Sequence, residues 1–237
     1  MSLQTEVKPS ERLRDASMSV WRQIIAHPYL KELKQGTLPV ETFRCYVQQD
    51  WLYLQEFTRT VGVIAGRAAD PDVMKFLLSW VEPLVGMEYH FHQKHSAQLG
   101  LDFSNVTWEM NATNWAYTRH MLTAAHTGST AEALAALLPC PCVYSFVGTT
   151  LSEGSRSPNP MYADWIDFYA PGHVDAVDSQ RVYERDIRIA AIQSLFDRLA
   201  ATEDEATLRR CERNFLISSR YEWWFWDAAY RREGWPV

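Results

Sequence analysis

Residues 40–67 read VETFRCYVQQDWLYLQEFTRTVGVIAGR, and this stretch carries an apolar face with the repeat of an α-helix. The apolar side chains recur at steps of three and four residues: Phe43, Tyr46, Val47, Tyr53, Leu54, Phe57, Val61 and Ile64. Pro39 directly precedes the stretch, where a proline does no harm because the first N–H groups of a helix lack partners. The pattern predicts one long amphipathic helix, with Asp50 as the acid on its buried face.

The rest of the chain shows the same helical repeat, and no alternating Val/Ile/Thr-rich segment predicts a strand. We expect helices at about residues 10–27, 40–67, 72–99, 111–126, 130–151, 161–169, 174–201 and 205–233. Seven or eight helices with short connections predict an all-α bundle. No linker divides the sequence, so residues 1–237 are expected to form a single helical domain, with residues 1–9 disordered or left over from cloning.

Composition and charge argue against several classes of partner. A formal net charge of −6 gives no electrostatic footprint for nucleic acid or for an anionic membrane surface. The polar N-terminus lacks the apolar core of a secretory signal, and no apolar run approaches the roughly 18 residues of a membrane span. The protein is therefore expected to be cytoplasmic, with its four cysteines reduced.

Cys140 lies between two prolines in the segment LPCPC, residues 138–142. It shares a helical face with apolar neighbours, so its thiol is expected to point into the core. Pro141 should kink the helix and free the carbonyl of Leu137, which favours polar groups near the thiol. These features suit a nucleophile, while the alternative is a buried structural cysteine. Cys142 points to another side of the helix and is interpreted as structural.

Glu222 lies in the aromatic run RYEWWFW, residues 220–226, on one helical face with Phe225 and Trp226. Burial makes a carboxyl group costly to ionise, so its pKa is expected to rise and the group can act as a general acid near neutral pH. The alternative is a carboxylate at the edge of the apolar face that reaches solvent or pairs with Arg220.

Asp50 is likewise an acid on an apolar helical face, so it too is either catalytic or structural. A thiol and two carboxyl groups that meet in one pocket would provide covalent and acid–base catalysis. The alternative for Asp50 is a buried ion pair or a hydrogen bond between helices. Tyrosines recur near these groups at positions 53, 117, 144 and 169; core packing would explain any one of them, and several together would suit a flat heteroaromatic ligand.

A second polar cluster lies on the helix expected over residues 72–99 and contains Glu88, His90, His92 and His95. Glu88 and His92 share a helical face and would form half of a carboxylate–imidazole metal site. The last two helices provide no Glu-x-x-His pair to complete it, so no metal is expected. The favoured interpretation is a solvated face near the helix C-terminus, where the helix dipole stabilises protonated histidine.

Four segments carry a resemblance to a known family: GTLPVETFRCYVQQD at 36–50, AALLPC at 135–140, NFLISSRYE at 214–222 and FWDAAYRREGW at 225–235. They resemble the TenA family, the thiaminase II or aminopyrimidine aminohydrolase group of the TenA/PqqC superfamily. The register holds across the whole chain, so the resemblance covers the domain. Cys140 is similar to the cysteine of the cysteine-containing TenA class.

The resemblance implies a heme-oxygenase-like all-α fold, a homotetramer, and no metal or organic cofactor. It implies hydrolysis of 4-amino-5-aminomethyl-2-methylpyrimidine to the hydroxymethyl pyrimidine and ammonia, a step of thiamin salvage. Thiamin itself would be a poorer second substrate. The expected partner is thus a small-molecule aminopyrimidine or thiamin, without nucleic acid or membrane.

The resemblance also implies roles for single residues. By position, Cys140 corresponds to the nucleophile, Glu222 to the acid/base at the leaving group, and Asp50 to the carboxylate that binds the amino and ring-nitrogen edge of the pyrimidine. The residues that correspond to pocket-lining tyrosines are Tyr53, Tyr117, Tyr144 and Tyr169. The chain departs from many members at 141–142 and 145–146, where Pro-Cys and Ser-Phe replace bulky aromatics, and this leaves the substrate preference open.

Three other functions remain open at this point. A di-metal oxidase on the same fold needs a second set of His and carboxylate ligands, and a cofactorless oxidase resembling pyrroloquinoline quinone synthase needs a pocket rich in His and Arg. A non-catalytic pyrimidine-binding regulator that touched DNA would need a basic recognition helix, which the net charge of −6 argues against.

Overall fold

The computed structural model describes residues 7–170 and 179–236, except for the side chains at 82–93 and 179–185. These ranges form ten helices: α1 Pro9–Ile25, α2 Pro28–Gln35, α3 Val40–Arg67, α4 Pro71–Leu99, α5 Ala112–Thr127, α6 Thr130–Leu137, α7 Pro139–Ser152, α8 Pro160–Tyr169, α9 Ser179–Ala200 and α10 Glu205–Arg231. The described ranges contain no strand, and the prediction of an all-α fold is confirmed.

The expected number of seven or eight helices is wrong, and α2 is one of the two reasons. Pro28 signals the end of α1 in the sequence, but it is also the first residue of α2. His27 caps α2, because its Nδ1 accepts the N–H of Tyr29 at 3.1 Å. Gly36 ends α2 in the left-handed conformation, at a φ of 74°.

The second reason is that the helix expected over residues 130–151 is two helices, α6 and α7. Pro139 and Pro141 have no N–H group, so two carbonyls of α6 lose their intrahelical donors. These are the carbonyls of Ala135 and Leu137; Ser218 of α10 donates its hydroxyl proton to the carbonyl between them, that of Ala136, at 2.8 Å in the core. The expected kink is therefore a break between two helices, which places Cys140 in the first turn of α7.

Helices α3 and α10 carry three of the candidate residues, Asp50, Tyr53 and Glu222. α3 packs against α4, α5 and α10, and α10 also packs against α1, α6 and α7. The helix that carries Asp50 thus lies beside the helix that carries Glu222, and α7 brings Cys140 to the same helix α10. α8 packs against α7 and α2.

The stretch Thr130–Ser152, which comprises α6 and α7, has the length and apolarity of a membrane span. The expectation that no run would reach this apolarity is therefore corrected. Most of this stretch is buried against the other helices, as is typical of a helix in a protein core.

The N-terminus is anchored from Ser10 onwards. α1 begins at Pro9, and Ser10 donates its N–H and its hydroxyl to the Asp197 carboxylate at 2.7 and 3.0 Å. Residues 1–6, within the segment expected to be disordered, and the expected helix start at residue 174 lie outside the described residues.

Candidate active site

Glu222 is a buried acid held by a tyrosine hydroxyl. It lies on α10 with 2% of its surface exposed, and it accepts the hydroxyl proton of Tyr117 from α5 at 2.7 Å. Burial raises the pKa of Glu222 to about 8; the hydrogen bond from Tyr117 lowers it, and the charge of Asp50 raises it. Near neutral pH, Glu222 therefore carries a proton that it can donate. Arg220, the alternative partner considered from the sequence, is exposed.

Asp50 is the second buried carboxyl group, 3% exposed on α3. Burial raises its pKa to about 8. Burial also raises the pKa of Tyr46 and Tyr144, and the charge of Asp50 adds to the effect on both. The charge of Asp50 also raises the pKa of Glu222, so the two buried carboxyl groups and Tyr144 influence one another.

Cys140 is half-buried beside Tyr53 and Tyr117. Burial is the main cause that raises the pKa of both tyrosines, and the charge of Cys140 raises it further. A hydrogen bond joins the side chains of Tyr53 and Cys140. Cys142 differs from Cys140: it is buried, burial raises its pKa to about 12, and its sulfur accepts the Gln193 amide at 3.4 Å.

The structure brings the seven candidate residues into one connected cluster: Asp50, Tyr53, Tyr117, Cys140, Tyr144, Tyr169 and Glu222. The rings of Tyr53 and Tyr117 lie 5.2 Å apart, and those of Tyr144 and Tyr169 lie 4.7 Å apart. Gly148 of α7 makes the second contact possible, because any side chain there would overlap the Tyr169 carbonyl. Five helices therefore contribute to one cluster.

The sequence-based prediction missed three aromatic residues behind Tyr144. Tyr46 donates its hydroxyl proton to the Tyr144 hydroxyl at 3.2 Å, and the indole N–H of Trp165 donates to Tyr46 at 3.4 Å. The ring of Trp226 stacks on Tyr46 at 5.2 Å with an interplanar angle of 9°. The spacing could have identified two of the three, because Tyr46 lies one helical turn before Asp50 and Trp226 lies one turn after Glu222.

Three of the four residues at which the chain departs from the TenA pattern line a separate cavity. Cys142, Ser145 and Phe146 line a cavity of about 250 Å³ together with residues of α1, α9 and α10, and none of the seven candidate residues lines it. Pro141, the fourth departing residue, does not line this cavity and directly follows Cys140.

The histidine cluster gives no metal site in the part of the chain with described side chains. Glu88, His90 and His92 lie outside that part, so the half-site suggested by the sequence stays untested. His95 is buried and its Nε2 lies 3.5 Å from an Asp164 oxygen. Among the described residues, no group of three or more His, Cys, Asp or Glu side chains could hold a metal ion.

Fold and site together define an all-α protein whose core brings together a thiol, two buried carboxyl groups with raised pKa values and four tyrosines. Such a site can form a covalent adduct with a flat ring and move protons at a leaving group.

The family model described as the TENA/THI-4/PQQC family matches residues 14–232, and this chain belongs to that family. An aminopyrimidine aminohydrolase of Bacillus subtilis (strain 168) is 33% identical over 230 residues, which cover 97% of this chain and 92% of that protein. The TenA homologue protein from P. horikoshii OT3 has a TM-score of 0.81 at 29% identity, covering 95% of this chain and 99% of that one. The resemblance to TenA is confirmed.

A more distant structure supports the fold. A domain of unknown function with a heme oxygenase-like fold, from Shewanella denitrificans OS217, has a TM-score of 0.64 at 12% identity. It covers 93% of this chain and 91% of that one. The expected heme-oxygenase-like fold is confirmed.

Proposed function

We propose that this protein is an aminopyrimidine aminohydrolase of thiamin salvage. Its reaction converts 4-amino-5-aminomethyl-2-methylpyrimidine and water into the 5-hydroxymethyl pyrimidine and ammonia. The observation that carries the proposal is the buried Glu222, whose pKa burial raises and which Tyr117 holds in the same cluster as the half-buried Cys140. The name of the Bacillus subtilis relative, aminopyrimidine aminohydrolase, supports the substrate class.

The first half of the reaction forms a carbon–sulfur bond and breaks a carbon–nitrogen bond. The Cys140 thiolate adds to a carbon of the electron-poor ring, and the displaced electrons expel the amine from the aminomethyl group. Glu222 donates its proton to the departing nitrogen, so that ammonia leaves and an exocyclic methylene remains. A pKa near 8 suits this role, because the acid is protonated at neutral pH and still gives up its proton readily.

The second half reverses the roles. Water adds to the exocyclic methylene while the Glu222 carboxylate takes a proton from it. The electrons return through the ring and expel the Cys140 thiolate, which restores the aromatic ring and the free enzyme. The chemistry requires only side chains and water, and neither a metal nor an organic cofactor has a role in it.

Asp50 and the tyrosines bind the ring in this mechanism. Asp50 contacts the amino group and the adjacent ring nitrogen, and its protonated form polarises the ring toward addition of the thiolate. The faces and edges of the pyrimidine lie against Tyr53, Tyr117, Tyr144 and Tyr169, since aromatic walls stabilise a flat heteroaromatic ligand.

The cellular setting follows from the same proposal. We place the protein in the cytoplasm, as a single-domain homotetramer, which its membership of the TenA family supports. Light scattering coupled to gel filtration tests the assembly: a mass of four chains is expected, and a stable monomer contradicts it.

Variants at the two reacting residues test the assignment. Cys140→Ser and Glu222→Gln are each expected to lose most turnover and to keep ligand binding measured by calorimetry. Cys142→Ser is the matched control, because it makes the same exchange two residues away while a hydroxyl can still accept the Gln193 amide. Turnover near that of the wild type in either reacting-residue variant contradicts the proposed roles of nucleophile and acid.

A further inference from the structure

Two tyrosine rings stack beside the hydrogen bond between Tyr117 and Glu222. The rings of Tyr117 and Tyr221 have centroids 5.2 Å apart and planes at 12°. Tyr117 is buried on α5, whereas Tyr221 is half-buried on α10 and directly precedes Glu222. Helix α10 therefore presents to α5 both the buried acid and a flat ring that packs against the hydrogen-bond donor of that acid.

Two further aromatic side chains hold the ring of Tyr221. The His120 imidazole of α5 lies 5.9 Å from it at an angle of 36°, and the Trp224 indole of α10 meets it edge-on at 5.5 Å. The hydroxyl of Tyr221 makes no hydrogen bond to the described residues. The ring of Tyr221, and not its hydroxyl, is therefore the part that contacts the site.

The tilt of the Tyr117 ring decides where its hydroxyl points, because the oxygen is the atom of that side chain farthest from the backbone. The hydroxyl lies 2.7 Å from the Glu222 carboxyl group, and a hydrogen bond weakens steeply as its angle bends and its length grows. The stacked ring of Tyr221 opposes a tilt of Tyr117, since a tilt would break a favourable contact between two aromatic faces.

We propose that Tyr221 is a positioning residue that keeps the hydroxyl of Tyr117 on the carboxyl group of Glu222. Tyr221 acts only through Tyr117 and does not touch the substrate. The inference deepens the proposed function and rests on it, because it assigns to Tyr221 control over the proton that Glu222 delivers to the leaving amine.

Loss of the stacked ring has a defined consequence for Glu222. The hydrogen bond from Tyr117 lowers the pKa of Glu222, so a displaced Tyr117 hydroxyl leaves that pKa higher. The other titratable groups around this hydrogen bond, among the described residues, are Asp50, Tyr53, Cys140 and Tyr144. A change at Tyr221 leaves these groups in place. Burial lowers the pKa of His120 from its ordinary 6.5, so the imidazole beside Tyr221 is neutral above that value.

Three variants separate the ring from the hydroxyl and from general packing. Tyr221→Leu removes the stacked ring, while Tyr221→Phe keeps the ring and removes only the hydroxyl. Trp224→Leu is the matched control, because it removes a half-exposed ring from the same helix that has no described ring contact with Tyr117. Tyr221→Met takes the place of Tyr221→Leu if the latter does not fold.

Urea unfolding tests the contact without reference to activity. The folded state raises the pKa of Glu222 above its ordinary 4.5, so the free energy of unfolding falls as pH rises toward the folded-state value. A still higher pKa in Tyr221→Leu extends this fall, so its stability relative to Tyr221→Phe should decrease further between about pH 7 and about pH 9.5. In a Glu222→Gln background the difference between the two variants should be the same at both pH values.

The pH profile of ammonia release tests the consequence for catalysis. Tyr221→Leu is expected to move the alkaline decline of kcat upward by about half a pH unit to one unit, the usual contribution of one hydrogen bond, with little change in KM. Tyr221→Phe and Trp224→Leu are expected to keep the wild-type position of the decline. In a Tyr117→Phe background, Tyr221→Leu should move it no further, because Tyr221 acts through Tyr117.

Two results overturn the inference while the proposed function stands. One is a difference in stability between Tyr221→Leu and Tyr221→Phe that is the same at both pH values, and the other is an equal shift of the kcat profile in Trp224→Leu. Either is the behaviour of a residue that only packs. If the wild type does not act on the aminopyrimidine, the proposed function fails and the catalytic role of Tyr221 fails with it, while urea unfolding still decides whether Tyr221 sets the pKa of Glu222.

Discussion

Replacing Glu222 by glutamine is expected to stabilise the fold while it abolishes the chemistry. The folded state holds Glu222 with a pKa of about 8, against an ordinary value of 4.5. A raised pKa means that the folded protein keeps a proton that the unfolded chain releases between those two values. The free energy of unfolding therefore falls as pH rises from about 4.5 to about 8, and the contribution of the protonated group is complete only below that window.

The size of the effect follows from the shift. Each pKa unit corresponds to about 1.36 kcal/mol, so at pH 7.5 the buried carboxyl group costs about 4 kcal/mol relative to pH 4.5. Glutamine does not titrate and still offers an oxygen to the Tyr117 hydroxyl. Glu222→Gln should therefore match the wild type near pH 4.5 and exceed its free energy of unfolding by about 4 kcal/mol at pH 7.5.

Urea unfolding at both pH values, at one fixed protein concentration, measures the difference. Glu212→Gln is the control, because Glu212 is an exposed acid on the same helix α10. It should give the same free energy of unfolding as the wild type at both pH values. A Glu222→Gln variant whose stability relative to the wild type is the same at pH 4.5 and pH 7.5 refutes the picture of a buried, protonated acid.

Two further predictions concern neighbouring contacts. Turnover should fall as pH rises above about 8, where Glu222 loses its proton. Tyr117→Phe should move this decline to higher pH, because the Tyr117 hydrogen bond lowers the pKa of Glu222. A pH profile of kcat that is the same in Tyr117→Phe and the wild type contradicts this role of Tyr117. Ser218→Ala should lower the free energy of unfolding by about 1 kcal/mol, since it removes the buried hydrogen bond to the Ala136 carbonyl at the break between α6 and α7. Urea unfolding that gives the same free energy of unfolding for the variant and the wild type contradicts this prediction.

The long, strongly periodic elements were predictable from the sequence. The expected helix over residues 40–67 has the bounds of α3, because its apolar repeat continues for seven turns and a proline marks its start. α2 was not predictable by the same means, because eight residues give too few turns for a repeat to show. The prolines at 139 and 141 indicated a disturbance of the helix, but a proline alone does not decide whether a helix bends or ends.

The candidate site was also predictable from the sequence only in part. An acid on an apolar helical face is visible in the sequence, and this feature singled out Asp50 and Glu222. The partner of Glu222 was not visible, because Tyr117 lies 105 residues away along the chain. The layer of Tyr46, Trp165 and Trp226 joins three helices, and it required the packing of those helices to be known.

Ammonia release from 4-amino-5-aminomethyl-2-methylpyrimidine, measured beside thiamin cleavage with the wild type and Cys140→Ser, tests the proposed hydrolase activity most directly. We predict that the wild type releases ammonia from the aminopyrimidine faster than it cleaves thiamin, and that Cys140→Ser loses this activity. A wild-type protein that acts on neither compound, or ammonia release that does not depend on Cys140, contradicts the proposed function.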